Sequence, residues 1–95
     1  MKAFYKSQEV EIWRITKEGS RPQWVSDAFG KNELVWLDDR LRILMPALYP
    51  KWAKDDRNYG YGMYAIGNIG DVIDLTNGKV VSQSTFERDY RIKNF

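Results

Sequence analysis

Ninety-five residues, 43% hydrophobic and 29% charged, make room for one globular domain spanning 1–95 and exclude wholesale disorder or a collagen-like chain. The absence of Cys and His removes disulfide frameworks, thiolate or imidazole metal sites, a cysteine nucleophile and an imidazole base. Fifteen Lys and Arg against thirteen Asp and Glu leave a net charge of +2, short of the basic surplus a dedicated nucleic-acid binder carries.

In chain order, Gln8 to Thr16 (QEVEIWRIT) has the β-branched and aromatic content of a strand, with Val10 and Ile12 on one face and Trp13 and Ile15 on the other. Lys17 to Ser20 reads as a turn. Ser20 with Gln23 fits a capping box, with Pro22 in the first turn, and Trp24, Val25, Ala28 and Phe29 make one apolar helical stripe that Gly30 ends. Glu33 to Leu37 and Leu41 to Met45 predict a hairpin through Asp38-Asp39-Arg40. Residues 46–62 (PALYPKWAKDDRNYGYG) hold no consistent period and read as a long loop or insertion.

Met63 to Gly67 and Asp71 to Thr76 predict further strands, and Asn77-Gly78 is the strongest signal for a type I′ turn, with Lys79 to Gln83 returning. Ser84 and Glu87 suggest a second capping box, opening a helix with Phe86 and Tyr90 on one face. The tail Arg91 to Phe95 is too short to assign. The expectation is an α+β domain with a mainly antiparallel, curled sheet of about five to seven strands and two short helices, near 21–30 and 84–91. Four Trp, six Tyr and four Phe read first as core, with Trp13, Trp36, Phe86 and Tyr90 buried.

Most candidate chemistry fails on context. Arg57 to Tyr64 resembles the ribonucleoprotein octamer, but the recognition fold carries a strand after its second helix, and nothing of strand length is expected after the helix here. Gly67-Asn-Ile-Gly70 is formally a GxxG, without the flanking helices of a KH loop. Gly60-x-Gly62 lacks the strand–turn–helix setting of a dinucleotide loop. The acids Asp38-Asp39, Asp55-Asp56 and Asp71 with Asp74 read as solvated turn residues, not as a catalytic pair or a metal site. No catalytic residue, metal or cofactor is expected.

What remains is the 46–62 segment. Lys51, Trp52, Lys54, Arg57, Tyr59 and Tyr61 set cations beside aromatic rings, the residue types enriched at interface hot spots. They are the candidate binding residues for a protein partner; the alternative is single-stranded nucleic acid or a nucleotide, which the same composition suits. No run approaches the length of a membrane span, and Lys2, Lys6, Glu9 and Glu11 leave no signal-peptide apolar region, so a cytoplasmic protein without a membrane partner is expected.

Three stretches together resemble a family of small phage and prophage proteins with a PGDYG-like motif. They are Lys6, Val10, Glu11, Ile12 and Trp13 at the start, Pro22 and Trp24 where the helix begins, and Gly70-Asp71-Val72-Ile73, Asn77-Gly78, Phe86 and Tyr90 at the end. Ile69 and Val72 stand where that family often has Pro and an aromatic. The resemblance covers most of the chain outside 46–62. It implies a compact antiparallel sheet with two helices and a non-enzymatic accessory role in a bacterial host, such as an inhibitor or adaptor of the anti-defence type. Physically, Gly70 is expected in a backbone conformation that a β-carbon forbids, and Phe86 and Tyr90 are expected to pin the last helix to the sheet.

Overall fold

In a computed structural model, which describes residues 2–45 and 65–92, the chain opens on a hairpin that pattern reading passes over. β1 (Lys2–Tyr5) and β2 (Gln8–Arg14) pair antiparallel from Lys2↔Glu11 to Tyr5↔Gln8 and turn through Lys6 and Ser7 alone. Both turn residues take positive φ, 51° and 66°, the geometry of a type I′ loop built without Gly or Asn. With no turn signature and only four residues, β1 leaves no mark in the sequence.

α1 (Gln23–Gly30) carries the expected stripe, with Val25 and Ala28 buried and Trp24 and Phe29 half-buried. The expected capping box is absent. Pro22 is the N-cap, no side chain caps the helix, and the Pro22 carbonyl accepts from the amides of Val25 and Ser26. At the other end the left-handed residue is Asn32 (φ 62°), two positions beyond Gly30. β3 (Leu34–Leu37) and β4 (Arg40–Ile43) form the predicted hairpin, with Asp38 alone at positive φ in the loop. β5 (Ala65–Asn68) then pairs with β4, followed by β6 (Val72–Asp74), β7 (Lys79–Val81), α2 (Gln83–Asp89) and β8 (Tyr90–Ile92).

Every pairing is antiparallel, in a five-stranded sheet ordered β7-β6-β2-β1-β8 and a three-stranded sheet ordered β3-β4-β5. The fold is α+β, as expected. Two details of the expectation are corrected: the described residues hold eight strands, not five to seven, and they form two open sheets in place of one curled sheet. The short strands β1 and β8 account for the difference in number. β8 also overturns the expectation that nothing strand-like follows the last helix, since Tyr90–Ile92 adds to the free side of β1.

The reason for two sheets lies in β2 and β6, which bury side chains on both faces. Val10, Ile12 and Val72 join Ala3, Val81, Phe86 and Tyr90 in one cluster beneath α2. Trp13, Ile15 and Ile73 join Val25 and Ala28 of α1 with Leu34, Leu41 and Ile43 of the smaller sheet in the other. Each such side chain contributes about 1.5–3 kcal/mol by leaving water. Gly67 lets the sheets approach, because a β-carbon there would overlap the Ile15 δ-methyl. Trp36 is half-buried where burial was expected. It lies on the edge strand β3, stacked on Phe29 with centroids 6.2 Å apart and with Lys17 over its ring at 5.1 Å.

Three further expectations change around the last hairpin. Asp74 is fully buried, where a solvated turn acid was expected. Its Oδ1 accepts from the Asn77 amide at 2.9 Å, and its Oδ2 accepts from Asn77 Nδ2 at 2.8 Å and the Tyr90 hydroxyl at 2.6 Å. Asn77 is thereby committed as a donor. The connection is a four-residue turn closed by Asp74↔Lys79, with Gly78 (φ 67°) as its left-handed residue, and not the two-residue type I′ loop. α2 is capped two residues before the predicted box, the Ser82 hydroxyl accepting from the Thr85 amide at 3.2 Å. Gly70 does take the conformation expected of it (φ 100°), and Phe86 and Tyr90 are buried and stacked at 5.0 Å, with Tyr5 on Tyr90 at 4.6 Å.

Candidate functional site

The three-stranded sheet turns one face to the core; on the other Leu37, Arg40, Ile66 and Asn68 are exposed and Val35 and Arg42 half-buried. In register, Leu34, Ile43 and Ala65 lie across from one another, as do Trp36, Leu41 and Gly67, and these point inward. The intervening sets, Val35 with Arg42 and Ile66, then Leu37 with Arg40 and Asn68, therefore share the outer face. Leu37 is 42% exposed, Ile66 39%, and Ile69 just beyond β5 47%. Val35, Leu37 and Ile66 beside Arg40 and Arg42 form a patch unlike ordinary scattered surface apolarity.

Arg42 is the most constrained of the group. One Nη donates to the Asn32 carbonyl at 3.0 Å, and in register Arg42 lies between Val35 and Ile66. Its Nε is buried and has no hydrogen-bond partner among the described residues. An orphaned charged donor is costly, because it gives up water without a replacement. An incoming carboxylate would supply one.

Three carboxylates elsewhere are occupied in holding the fold. Asp74 is saturated by Asn77 and Tyr90. Glu11 accepts from the Trp24 indole at 2.9 Å and pairs with Lys2 at 3.0 Å. Burial works against its charge, but hydrogen bonds to the carboxylate, from Trp24 and Lys2 among others, outweigh that and hold the group down to about 2. Asp71 Oδ2 accepts from the Asn68 amide at 3.0 Å. Among the described residues no three acidic side chains gather where they could hold a metal ion, and no helix is long and apolar enough to cross a membrane.

The residues singled out from sequence, Lys51, Trp52, Lys54, Arg57, Tyr59 and Tyr61, lie outside the described residues, as do the octamer-like stretch 57–64 and the 46–62 segment as a whole. In the chain the segment falls between β4 and β5. Gly67 to Gly70 runs from β5 into the turn before β6, with no helix on either side, so the GxxG has no KH setting. Val35, Leu37, Arg40, Arg42 and Ile66 were not singled out. Their signal was the alternation Arg40-Leu41-Arg42-Ile43, cations out and aliphatics in, beside a Leu34-Val-Trp-Leu37 run too apolar for one buried face. Comparisons with models of known families, with curated proteins and with solved structures give no match.

Proposed function

We propose that this chain is a non-enzymatic binding protein that engages another protein through the outer face of the β3-β4-β5 sheet. The observation that carries the reading is Arg42, in register between Val35 and Ile66, with its Nε donor buried and without a partner among the described residues. Arg is among the residues that dominate interface energetics, above all where a surrounding apolar ring excludes water. The occupant that fits is a protein surface presenting a carboxylate between apolar side chains. The motif resemblance supports an accessory role of phage type, as an inhibitor or adaptor acting on a host or phage protein in the bacterial cytoplasm.

The test compares capture from a bacterial lysate by the wild-type chain and by the triple variant Leu37→Ser, Ile66→Ser and Arg42→Gln, followed by reconstitution with the purified captured protein. The expected result is one stoichiometric protein, resistant to nuclease, whose affinity falls about a hundredfold in the variant, the loss of roughly 2 kcal/mol or more that marks a hot spot. A melting temperature close to wild type shows that the face, and not the fold, was removed. Undiminished binding by a folded variant, or capture abolished by nuclease, would overturn the reading.

A further inference from the structure

A second surface lies on the five-stranded sheet, where the β1–β2 turn meets the junction of α2 and β8. Phe4, Tyr5, the Lys6-Ser7 turn, Arg88, Asp89 and Arg91 line an open cleft of about 820 Å³. That volume falls within the roughly 300–1,000 Å³ of small-ligand sites. Among the described residues Asp89 is the one carboxylate in the lining, and Arg88 already holds it through two bonds of 2.9 and 3.1 Å. Lys79 stands just behind, its ammonium 4.0 Å from the Tyr5 ring centre, with Lys6 at 5.3 Å from the same ring. Lys79 beside the Tyr5 hydroxyl, reinforced by Lys6, holds the phenol below its ordinary value. Lys6, Arg88 and Arg91 outnumber Asp89 in the described lining, with Glu9 across from Phe4 as a further carboxylate, so the cleft is positive on balance.

Two features make this more than a cationic surface. Phe4 and Arg91 are direct cross-strand partners, so a ring that is 36% exposed and a guanidinium stand side by side on one face. The turn beside them places Lys6 and Ser7 at positive φ, a conformation that Gly or Asn would adopt without strain. A lysine is kept there against the local preference of the backbone, and strained turns of this kind concentrate at ligand sites.

We propose that this cleft binds a nucleotide-class ligand, with phosphate held by Lys6 and Arg91 and the base laid on Phe4. Arg91 presents a planar fork to phosphate oxygens, Lys6 a mobile point charge, and Phe4 an apolar face for a flat heterocycle. A polyanion without a ring would use the cations and leave Phe4 idle. This ligand is separate from the protein partner of the β3-β4-β5 face and does not depend on it.

The test titrates the whole chain with ADP and, separately, with inorganic pyrophosphate, following backbone amide shifts. ADP is expected to bind at concentrations of about 1 mM or below, moving the signals of 4–7 and 88–92, and to weaken as salt screens the cleft. Phe4→Ala should lower ADP affinity about fivefold or more while leaving pyrophosphate unchanged, since stacking is lost and the charges stay. Lys6→Gln with Arg91→Gln should lower both about tenfold, and Arg91→Gln alone gives the same direction should the altered turn unfold the double variant. No ADP response at these concentrations would overturn the assignment. So would a Phe4→Ala variant that binds ADP like wild type, which would leave a polyanion surface without a base site.

Discussion

The Tyr90 hydroxyl donates to Asp74 Oδ2 at 2.6 Å and ties β8 to β6 across the two strands that separate them in the sheet. Both residues are buried, and Tyr90 is sandwiched between Tyr5 and Phe86. Burial first, and the Asp74 carboxylate next, push the phenol far above its ordinary range, so the donor keeps its proton in any ordinary buffer. Tyr90→Phe retains the ring stack and removes only this donor. Urea unfolding should show a loss of about 2 kcal/mol, the size of a buried hydrogen bond to a charged group. Asp74→Ala should cost more, because it also strips Asn77 of both its acceptors. A Tyr90→Phe protein as stable as wild type would mean that the bond contributes nothing.

The contact between the two sheets gives a second test. Gly67→Ala places a methyl against the δ-methyl of Ile15, which is fully enclosed and cannot swing into solvent. Overpacking of this kind costs about 1–3 kcal/mol. Ile15→Val removes the offending methyl, so the double variant should recover part of what Gly67→Ala loses. Independent, additive losses in the double-mutant cycle would contradict the contact.

Glu11 should make stability depend on acid. Its folded carboxyl lies at about 2, below its ordinary 4.5, so the folded state favours the charged form. The stabilisation is fully present above pH 4.5 and is lost as the pH falls from there through about 2. Glu11→Gln should flatten that portion of the pH–stability curve. Trp24→Phe, which keeps an aromatic ring on α1 but deletes the indole donor at 2.9 Å, should raise the Glu11 carboxyl and shift the acid limb to higher pH. An unchanged acid limb in both variants would show that other carboxylates govern it.

Gly70 resists a side chain through its backbone conformation. At φ 100° it lies outside the conformations L residues favour, and a β-carbon would come within 3.0 Å of Gln83 Oε1. Gln83 is flexible and exposed and can give way, so the cost is mainly that of the backbone. Gly70→Ala should lower stability by about 1–2 kcal/mol, and Gln83→Ala should not rescue it. Full rescue would assign the cost to the side-chain contact.

Local chemistry determined a good deal of this protein before any tertiary contact was known. The alternation of Val10 and Ile12 with Trp13 and Ile15 already required β2 to be covered on both sides, and two core clusters cover it. The apolar stripe of α1 and the β3–β4 hairpin follow from spacing alone, because each depends on neighbours within a few residues; Gly70 and Phe86 fill the roles expected of the motif residues, whereas Tyr90, expected on the last helix, opens β8 and stacks on Phe86 from there. Signals that rest on one side chain having one use were misleading. Asn77 promised a type I′ turn, but the long-range demand of buried Asp74 recruited it as a donor. Asp74 looked like a solvated turn acid until Tyr90, sixteen residues away, supplied its third hydrogen bond. β1 and β8 were invisible because a three- or four-residue strand is stabilised by its partner and hardly by its own composition. Both candidate surfaces belong to the same class. Val35, Arg42 and Ile66 come together through strand register, and Phe4 and Arg91, 87 positions apart in the sequence, through β1–β8 pairing. Only pairing between distant segments could decide them, since register sets which side chains share a face and no local pattern sets register across a long connection.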